Sequence, residues 1–188
     1  MSLIPAFEIG VWNAWIFMLC SLIPVFFMPL VARGQKEGES FTTEFSKRQK
    51  SALLTLHLSY LLLLIYSIFL PLKLGTLWFY VGLPIFLLGL IPYAITSVNF
   101  TNTPTDKPVI TGMYRYSRHP MNLTPFPIFV GAGIASASWL FLLLAVVYIV
   151  MLPLFVEAEE RFCLKKYGDA YRDYVGRTPR WLGVPKSG

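Results

Sequence analysis

The stretch Pro120-MNLTPFPIFVGAGIASASWLFLLLAVVYIVMLPLF-Val156 decides the fold class, because it runs for 37 residues without one Asp, Glu, Lys or Arg. As one helix at ~1.5 Å per residue it would extend ~55 Å, whereas the hydrocarbon core of a membrane is ~30 Å thick. The run Ser136-Ala137-Ser138, with Gly131 and Gly133 just before it, offers a turn. We therefore predict a short helix over about Met121–Ala135, broken by Pro125 and Pro127, and a second over about Trp139–Val156, paired as a helical hairpin.

Three further apolar runs precede this stretch, at about Val11–Ala32, Ser51–Leu72 and Leu77–Val98. Each has enough residues to cross a membrane. The chain as a whole is 55% hydrophobic, with a mean hydropathy of +0.58. The sequence thus predicts an all-α membrane protein with about five transmembrane helices, arranged as one integral-membrane domain over residues 1–188, and a C-terminal cytosolic amphipathic helix.

The basic residues indicate the orientation of these spans. With five spans, Lys73 is the one basic residue of the sixteen Lys and Arg that falls on the opposite side from the others. Because basic loops stay in the cytoplasm, we expect the N-terminus outside and the C-terminus in the cytoplasm, in a bacterial-type inner membrane or an ER-like membrane. The net charge of +6 is then a sign of topology rather than of nucleic-acid binding.

Two ionisable motifs lie at the predicted membrane edge, Arg118-His119-Pro120 and Glu159-Glu160. Pro120 favours a helix start there, with Ser117 or His119 as its cap, and the free N–H groups and Arg118 would attract an anion. The carboxylates would attract a cation. Together the motifs predict a polar pocket for a zwitterionic small molecule. The alternatives are that the arginines only hold a helix end at anionic lipid, and that the glutamates pair with Arg161 and loop arginines.

Tyr167, Tyr171 and Tyr174 share one face of an amphipathic helix that is interrupted near Gly168. This stripe predicts either a tyrosine face at the membrane interface or a lid over a cofactor. No spacing of Cys and His typical of a metal site is present, and no residue is assigned as catalytic.

These motifs resemble a known family. Gly112, Tyr114 and Arg118-His119-Pro120, followed by Glu159-Glu160, Leu164, Tyr167-Gly168, Tyr171, Tyr174 and Arg180, are similar to the integral-membrane methyltransferases, namely the isoprenylcysteine carboxyl methyltransferases and the phospholipid methyltransferases. The resemblance covers about Thr111–Trp181 and makes residues 111–181 the expected cofactor-binding methyltransferase core. It implies S-adenosyl-L-methionine at the cytosolic face and a lipid or small hydrophobic acceptor that arrives from the bilayer.

The resemblance also implies site residues. Arg118 and His119 suit the donor's carboxylate, Glu159 and Glu160 its ammonium or ribose hydroxyls, and the tyrosines its adenine or sulfonium. The expected cofactor-binding residues are Tyr114, Arg118, His119, Pro120, Glu159, Glu160, Tyr167 and Tyr171.

Two positions depart from the family pattern and point to the acceptor. Asn122 stands where Tyr is frequent, and Phe155 stands where the carboxyl methyltransferases carry an Arg for the substrate carboxylate. A buried carboxylate without a cation is costly. Asn122 and Phe155 are therefore the expected substrate-binding residues, and an amine or thiol acceptor is favoured over a prenylcysteine carboxylate.

Two other functions stay open at the level of sequence. Membrane sterol reductases carry a motif like Arg-His-Pro and use NADPH, although the Glu159-Glu160 pair counts against them. A non-catalytic membrane accessory protein that keeps the pocket as a relic is the second alternative.

Overall fold

The computed structural model of the chain describes residues 7–22 and 45–185, and the named elements within them are all helical. They are α1 (Lys47–Ile68), α2 (Leu77–Thr101), a 3₁₀ turn (Gly112–Arg115), α3 (Pro120–Leu123), α4 (Pro125–Ala135), α5 (Trp139–Tyr167) and α6 (Asp169–Arg177). Three of these, α1, α2 and α5, are long and apolar enough to cross a membrane. The protein is therefore an all-α integral membrane protein.

The second and third predicted spans correspond to α1 and α2. Helix α1 begins earlier than expected because Ser46 caps it. The Ser46 hydroxyl accepts a hydrogen bond from the Gln49 N–H at 3.3 Å, and the Gln49 side-chain oxygen accepts one from the Ser46 N–H at 3.1 Å. Residues 15–22 are also helical. The rest of the predicted span to Ala32, and residues 33–44 between the first two predicted spans, lie outside the described residues.

The predicted fourth helix is divided into α3 and α4 at Thr124, which agrees with the break expected at Pro125 but leaves Pro127 inside α4. Pro125 has no N–H to donate to the carbonyl of Met121, so the helix ends there and restarts with Pro125 at its first position. The turn at Ser136–Ser138 lies where it was expected, and the Ser138 hydroxyl caps α5 by accepting from the Phe141 N–H at 3.3 Å.

The fifth predicted helix was too short. Helix α5 continues for eleven residues past Val156, through the glutamate motif, to Tyr167. Hydropathy located only its apolar part, because the charged turns after Val156 are helical but polar. Gly168, with φ +57°, takes a backbone conformation that favours glycine, and it separates α5 from α6.

Glycines bring α2 and α4 into direct backbone contact. A Cβ on Gly82 would lie 2.6 Å from the Gly131 carbonyl oxygen, and one on Gly89 would lie 2.7 Å from the Ile128 nitrogen. Gly131 therefore serves helix packing and is not part of the turn for which the sequence suggested it.

The helix ends form two groups. At one, the N–H of Lys73 donates to the carbonyl of Ala135 at 2.9 Å, which joins the α1–α2 loop to the end of α4. At the other, Arg161 near the end of α5 donates to the Gln49 side chain at the start of α1, at 2.7 Å. The two ionisable motifs lie at this second end.

Candidate functional site

The segment that carries Arg118 and His119 is fixed by its neighbours on both sides. Gly112 has φ +61° and lies against the Asn99 side chain, where any Cβ would overlap it. The Tyr174 hydroxyl on α6 donates to the carbonyl of Tyr114 at 2.7 Å. The Arg118 N–H donates to the carbonyl of Pro179 at 3.0 Å, which ties the segment to the chain after α6.

His119 lies at the centre of the site, between the two glutamates. Its side chain is about 2% exposed, with Nδ1 3.0 Å from Glu159 Oε2 and Nε2 3.2 Å from Glu160 Oε1. One imidazole therefore contacts both carboxylates. Glu159 and Glu160 are consecutive residues on α5, and their side chains leave the helix axis ~100° apart.

The expected helix cap takes a different form. His119 occupies the N-cap position of α3, but its side chain makes no capping bond because both ring nitrogens face α5. Its carbonyl instead accepts from the N–H groups of Asn122 and Leu123, each at 3.1 Å. These two N–H groups are thus already bonded, so they are not the free donors that were expected at this helix start.

Glu160 is neutralised within the protein. Its Oε1 lies 3.2 Å from the Arg118 guanidinium and accepts from Arg180 Nε at 3.2 Å, and a second Arg180 nitrogen donates to Oε2. With His119, three cationic groups thus surround one carboxylate that is only 13% exposed.

Glu159 has a different environment. The Asn122 amide donates to its Oε2 at 2.7 Å, and His119 contacts the same oxygen. Its other oxygen, Oε1, has no hydrogen-bond partner within the part of the chain that the structure describes. The Glu159 side chain is also the more open of the two, at 31% exposed.

The electrostatics of the site favour the charged forms of its cations. Burial on its own would lower the pKa of His119, but the hydrogen bonds to Glu159 and Glu160 outweigh it and raise the pKa above its ordinary value. The hydrogen bond to Glu160 likewise raises the pKa of Arg180. When His119 is protonated, the cluster holds three positive charges against two carboxylates, and when His119 is neutral the charges balance.

Arg161 pairs with Glu157, two residues before the glutamate motif, and not with Glu159 or Glu160. Glu157 Oε1 accepts from Arg161 at 3.0 Å, and both side chains are about half exposed. This pair lies apart from the contacts of Glu159 and Glu160.

The tyrosine stripe faces the protein interior. Tyr171 and Tyr174 are 5% and 6% exposed and form a cluster with Tyr114, which is also buried. Burial raises the pKa of these phenols, so they stay protonated. Tyr167 is half-buried, and its hydroxyl donates to the carbonyl of Thr105 at 3.4 Å.

The structure thus brings Arg118, His119, Asn122, Glu159 and Glu160 into one cluster, with Tyr114 and Tyr171 packed nearby. Pro120 is buried at the start of α3. Phe155 is half-buried on α5, one turn before Glu159. The sequence matches Arg180 to the family pattern, but it did not predict that Arg180 contacts Glu160.

A second residue that the sequence did not single out is Tyr148 on α5. Its hydroxyl donates to the carbonyl of Asn122 at 3.0 Å. One helix therefore holds Asn122 at two points, its carbonyl through Tyr148 and its amide through Glu159. No local pattern marks Tyr148, since a tyrosine in an apolar helix is ordinary.

Comparison with known proteins agrees with this arrangement. The family model "Phospholipid methyltransferase" matches residues 73–170, which include α2, both ionisable motifs and all of α5. The search of curated proteins gave no match. Since the family model covers more than half of the chain, the protein belongs to the phospholipid methyltransferase family, a family of membrane methyltransferases.

Proposed function

We propose that the protein transfers a methyl group from S-adenosyl-L-methionine to an amine or thiol on a lipid-like acceptor, at the cytosolic face of the membrane. The observation that carries the proposal is the cluster in which Arg118 and His119 meet Glu159 and Glu160 at one end of the apolar helices. Ionisable groups beside hydrocarbon are energetically costly, and where a membrane protein has them they usually serve its function.

The residues present fit the amino-acid end of this donor, which carries both a carboxylate and an ammonium. Arg118 is nine-tenths buried, and its Nε is buried without a hydrogen-bond partner among the described residues. Glu159 Oε1 is also free of partners there. The cluster therefore has spare bonding capacity of both signs.

In this proposal the donor supplies an electrophilic methyl group on a sulfonium. Arg118 binds its carboxylate through Nε, which has no hydrogen-bond partner among the described residues, while His119, whose two ring nitrogens both face glutamates, holds Glu159 in place. Glu160, already surrounded by three cations, contributes by holding Arg118 and His119 in place. Tyr114 and Tyr171 are buried against each other, so they support the segment around Arg118 and do not enclose the adenine of the donor. Tyr167 is half-buried, so its ring is the one open to contact with the adenine.

The acceptor reaches the cluster from the bilayer along α5. Phe155 lies on the same face of α5 as Glu159, four residues earlier, and Asn122 lies beside Glu159. Neither side chain offers a cation to a carboxylate substrate. This supports an amine or thiol acceptor, because a prenylcysteine carboxylate would be left unpaired.

The orientation is part of the same proposal. We retain five spans, with the α3–α4 segment and α5 as a hairpin, the N-terminus outside and the C-terminus in the cytoplasm. The two ends of the helix group support it, because Lys73 lies at the end opposite the cluster.

The test is methyl transfer from labelled donor by the purified protein in lipid nanodiscs, with phosphatidylethanolamine and a prenylcysteine as alternative acceptors. We expect label in the phospholipid alone. Labelling of the prenylcysteine by the wild type would contradict the acceptor assignment, whereas its labelling by Phe155→Arg alone would support it.

A further inference from the structure

We propose that Tyr148 on α5 is a positioning residue of the site: its hydroxyl holds Asn122, and the Asn122 amide in turn orients the carboxylate of Glu159. The inference rests on the proposed function, in which Glu159 offers its free oxygen to the ammonium of the donor. It adds to the site a residue that acts through Asn122, from the apolar part of α5.

Asn122 needs a contact from outside its own helix. It belongs to α3, which has four residues and is separated from α4 by Thr124. Within this turn the Asn122 N–H donates to the carbonyl of His119 at 3.1 Å. A single helical turn gains almost none of the cooperativity that stabilises a longer helix, so the geometry of α3 depends on its neighbours.

Tyr148 supplies this contact. Its hydroxyl donates to the carbonyl oxygen of Asn122 at 3.0 Å, while the Asn122 amide donates to Glu159 Oε2 at 2.7 Å. Tyr148 and Glu159 are eleven residues apart on α5, which is about three helical turns, so both lie on the same face of the helix. One helix therefore holds both the backbone of Asn122 and the carboxylate that its amide contacts.

The ring of Tyr148 is itself held by aromatic packing. It meets Phe129 of α4 edge to face, with the ring centroids 5.2 Å apart and the ring planes at 90°. Phe129 is fully buried, and Tyr60 of α1 contacts it with the ring centroids 5.8 Å apart. Because this packing involves the ring and not the hydroxyl, Tyr148→Phe removes the hydrogen bond to Asn122 and leaves the ring in place.

The first test is the Kd for S-adenosylhomocysteine, measured by calorimetry in detergent for the wild type and for Tyr148→Phe. A hydrogen bond between neutral groups contributes a factor of about 2–10 to an equilibrium constant at 25 °C, so we expect the Kd to rise about fivefold.

The matched control is Tyr66→Phe. The Tyr66 hydroxyl on α1 lies 3.1 Å from the hydroxyl of Ser138, which caps α5 at the end opposite the cluster. The control therefore loses the same chemical group and an interhelical hydrogen bond of similar length. It should bind S-adenosylhomocysteine as the wild type does, because its hydrogen bond lies far from Asn122.

A double-mutant cycle tests whether Tyr148 acts through Asn122. Asn122→Ala removes the amide that contacts Glu159 and keeps the carbonyl that Tyr148 holds. Since Tyr148 serves to place that amide, adding Tyr148→Phe to Asn122→Ala should raise the Kd by less than about twofold further. A general loosening of the helices would instead multiply the two effects, and it would lower the melting temperature of Tyr66→Phe as much as that of Tyr148→Phe.

The outcomes separate this inference from the proposed function. A wild type that does not bind S-adenosylhomocysteine overturns both. A wild type that binds it, together with a Tyr148→Phe variant whose Kd is unchanged, overturns the inference alone. An equal loss of affinity in Tyr66→Phe also overturns the inference, as does a full further loss when Tyr148→Phe is added to Asn122→Ala.

Discussion

Glu160 is the residue on which the cluster depends most, because Arg118, His119 and Arg180 all contact its carboxylate. In Glu160→Gln, the nine-tenths-buried Arg118 loses its counter-charge, and breaking a buried pair costs about 3 kcal/mol of unfolding free energy. We also expect weaker binding of S-adenosylhomocysteine, while the protein still inserts and folds. Thermal unfolding and calorimetry in detergent measure both quantities.

The control for this change is Glu157→Gln. Glu157 pairs with Arg161 on the surface, and an exposed pair of this spacing contributes about 0.3–0.5 kcal/mol. An unchanged donor affinity in Glu160→Gln would remove Glu160 from the site.

His119 gives the cluster a dependence on pH. Its pKa is raised in the folded protein, so the stability that it contributes is complete below its ordinary pKa of 6.5 and is lost as pH rises through the raised value. The groups that face it are Glu159 and Glu160 from α5, with Arg118 beside it and Arg180 beyond Glu160. We expect the melting temperature of the wild type to exceed that of His119→Gln most below pH 6.5, with a gap that narrows toward pH 9. A gap that widens with pH would contradict this sign.

At the residue scale, the site residues could be predicted from the sequence, whereas most of the hydrogen bonds between them could not. Arg118-His119-Pro120 and Glu159-Glu160 stand out because charge is rare in this chain. The direct bonds between them could not be predicted, since they join residues forty positions apart through the path of α4 and α5. Arg180 and Tyr148 became site residues only through such long-range contacts.

At the scale of elements, the α2–α4 contact depends on the absence of side chains. A Cβ on Gly131 would lie 2.7 Å from the carbonyl oxygen of Gly82, and backbone cannot rotate away as a side chain can. We expect Gly131→Ala to lower the free energy of unfolding by about 3 kcal/mol through overpacking. Thermal unfolding in detergent measures the loss.

The matched control for this change is Gly176→Ala on α6, where an added Cβ meets nothing within 4 Å. It should be neutral or stabilise the helix by up to about 1 kcal/mol, because alanine favours helix over glycine. Equal effects of the two substitutions would show that α2 and α4 do not touch as described.

The limits of the elements could be predicted where hydropathy or a cap marks them. The start of α2 at Leu77 and the turn before Trp139 agree with the sequence. The break between α3 and α4 was expected at Pro125 or Pro127, and the structure has it at Pro125 alone. An amphipathic helix interrupted near Gly168 was expected after the fifth span, but its continuity with that span in α5 was not, because a polar continuation of an apolar helix has no hydropathy signal.

At the scale of the whole molecule, the proposed orientation places Lys73 and Lys107 on opposite sides of the membrane. In a background with Cys20 and Cys163 replaced by Ser, Lys73→Cys should react with an impermeant maleimide from outside intact cells or spheroplasts. Lys107→Cys should react only after the membrane is opened. Labelling of both from the same side would contradict the orientation.

The central claim is that the cluster of Arg118, His119, Glu159 and Glu160 binds a methyl donor. The most direct measurement is calorimetric titration of the detergent-purified protein with S-adenosylhomocysteine and, separately, with NADPH. The account predicts micromolar binding of S-adenosylhomocysteine and none of NADPH. At 100 times the Kd, the bound ligand should also stabilise the fold by about 2.7 kcal/mol. Binding of NADPH alone, or of neither ligand, would contradict it.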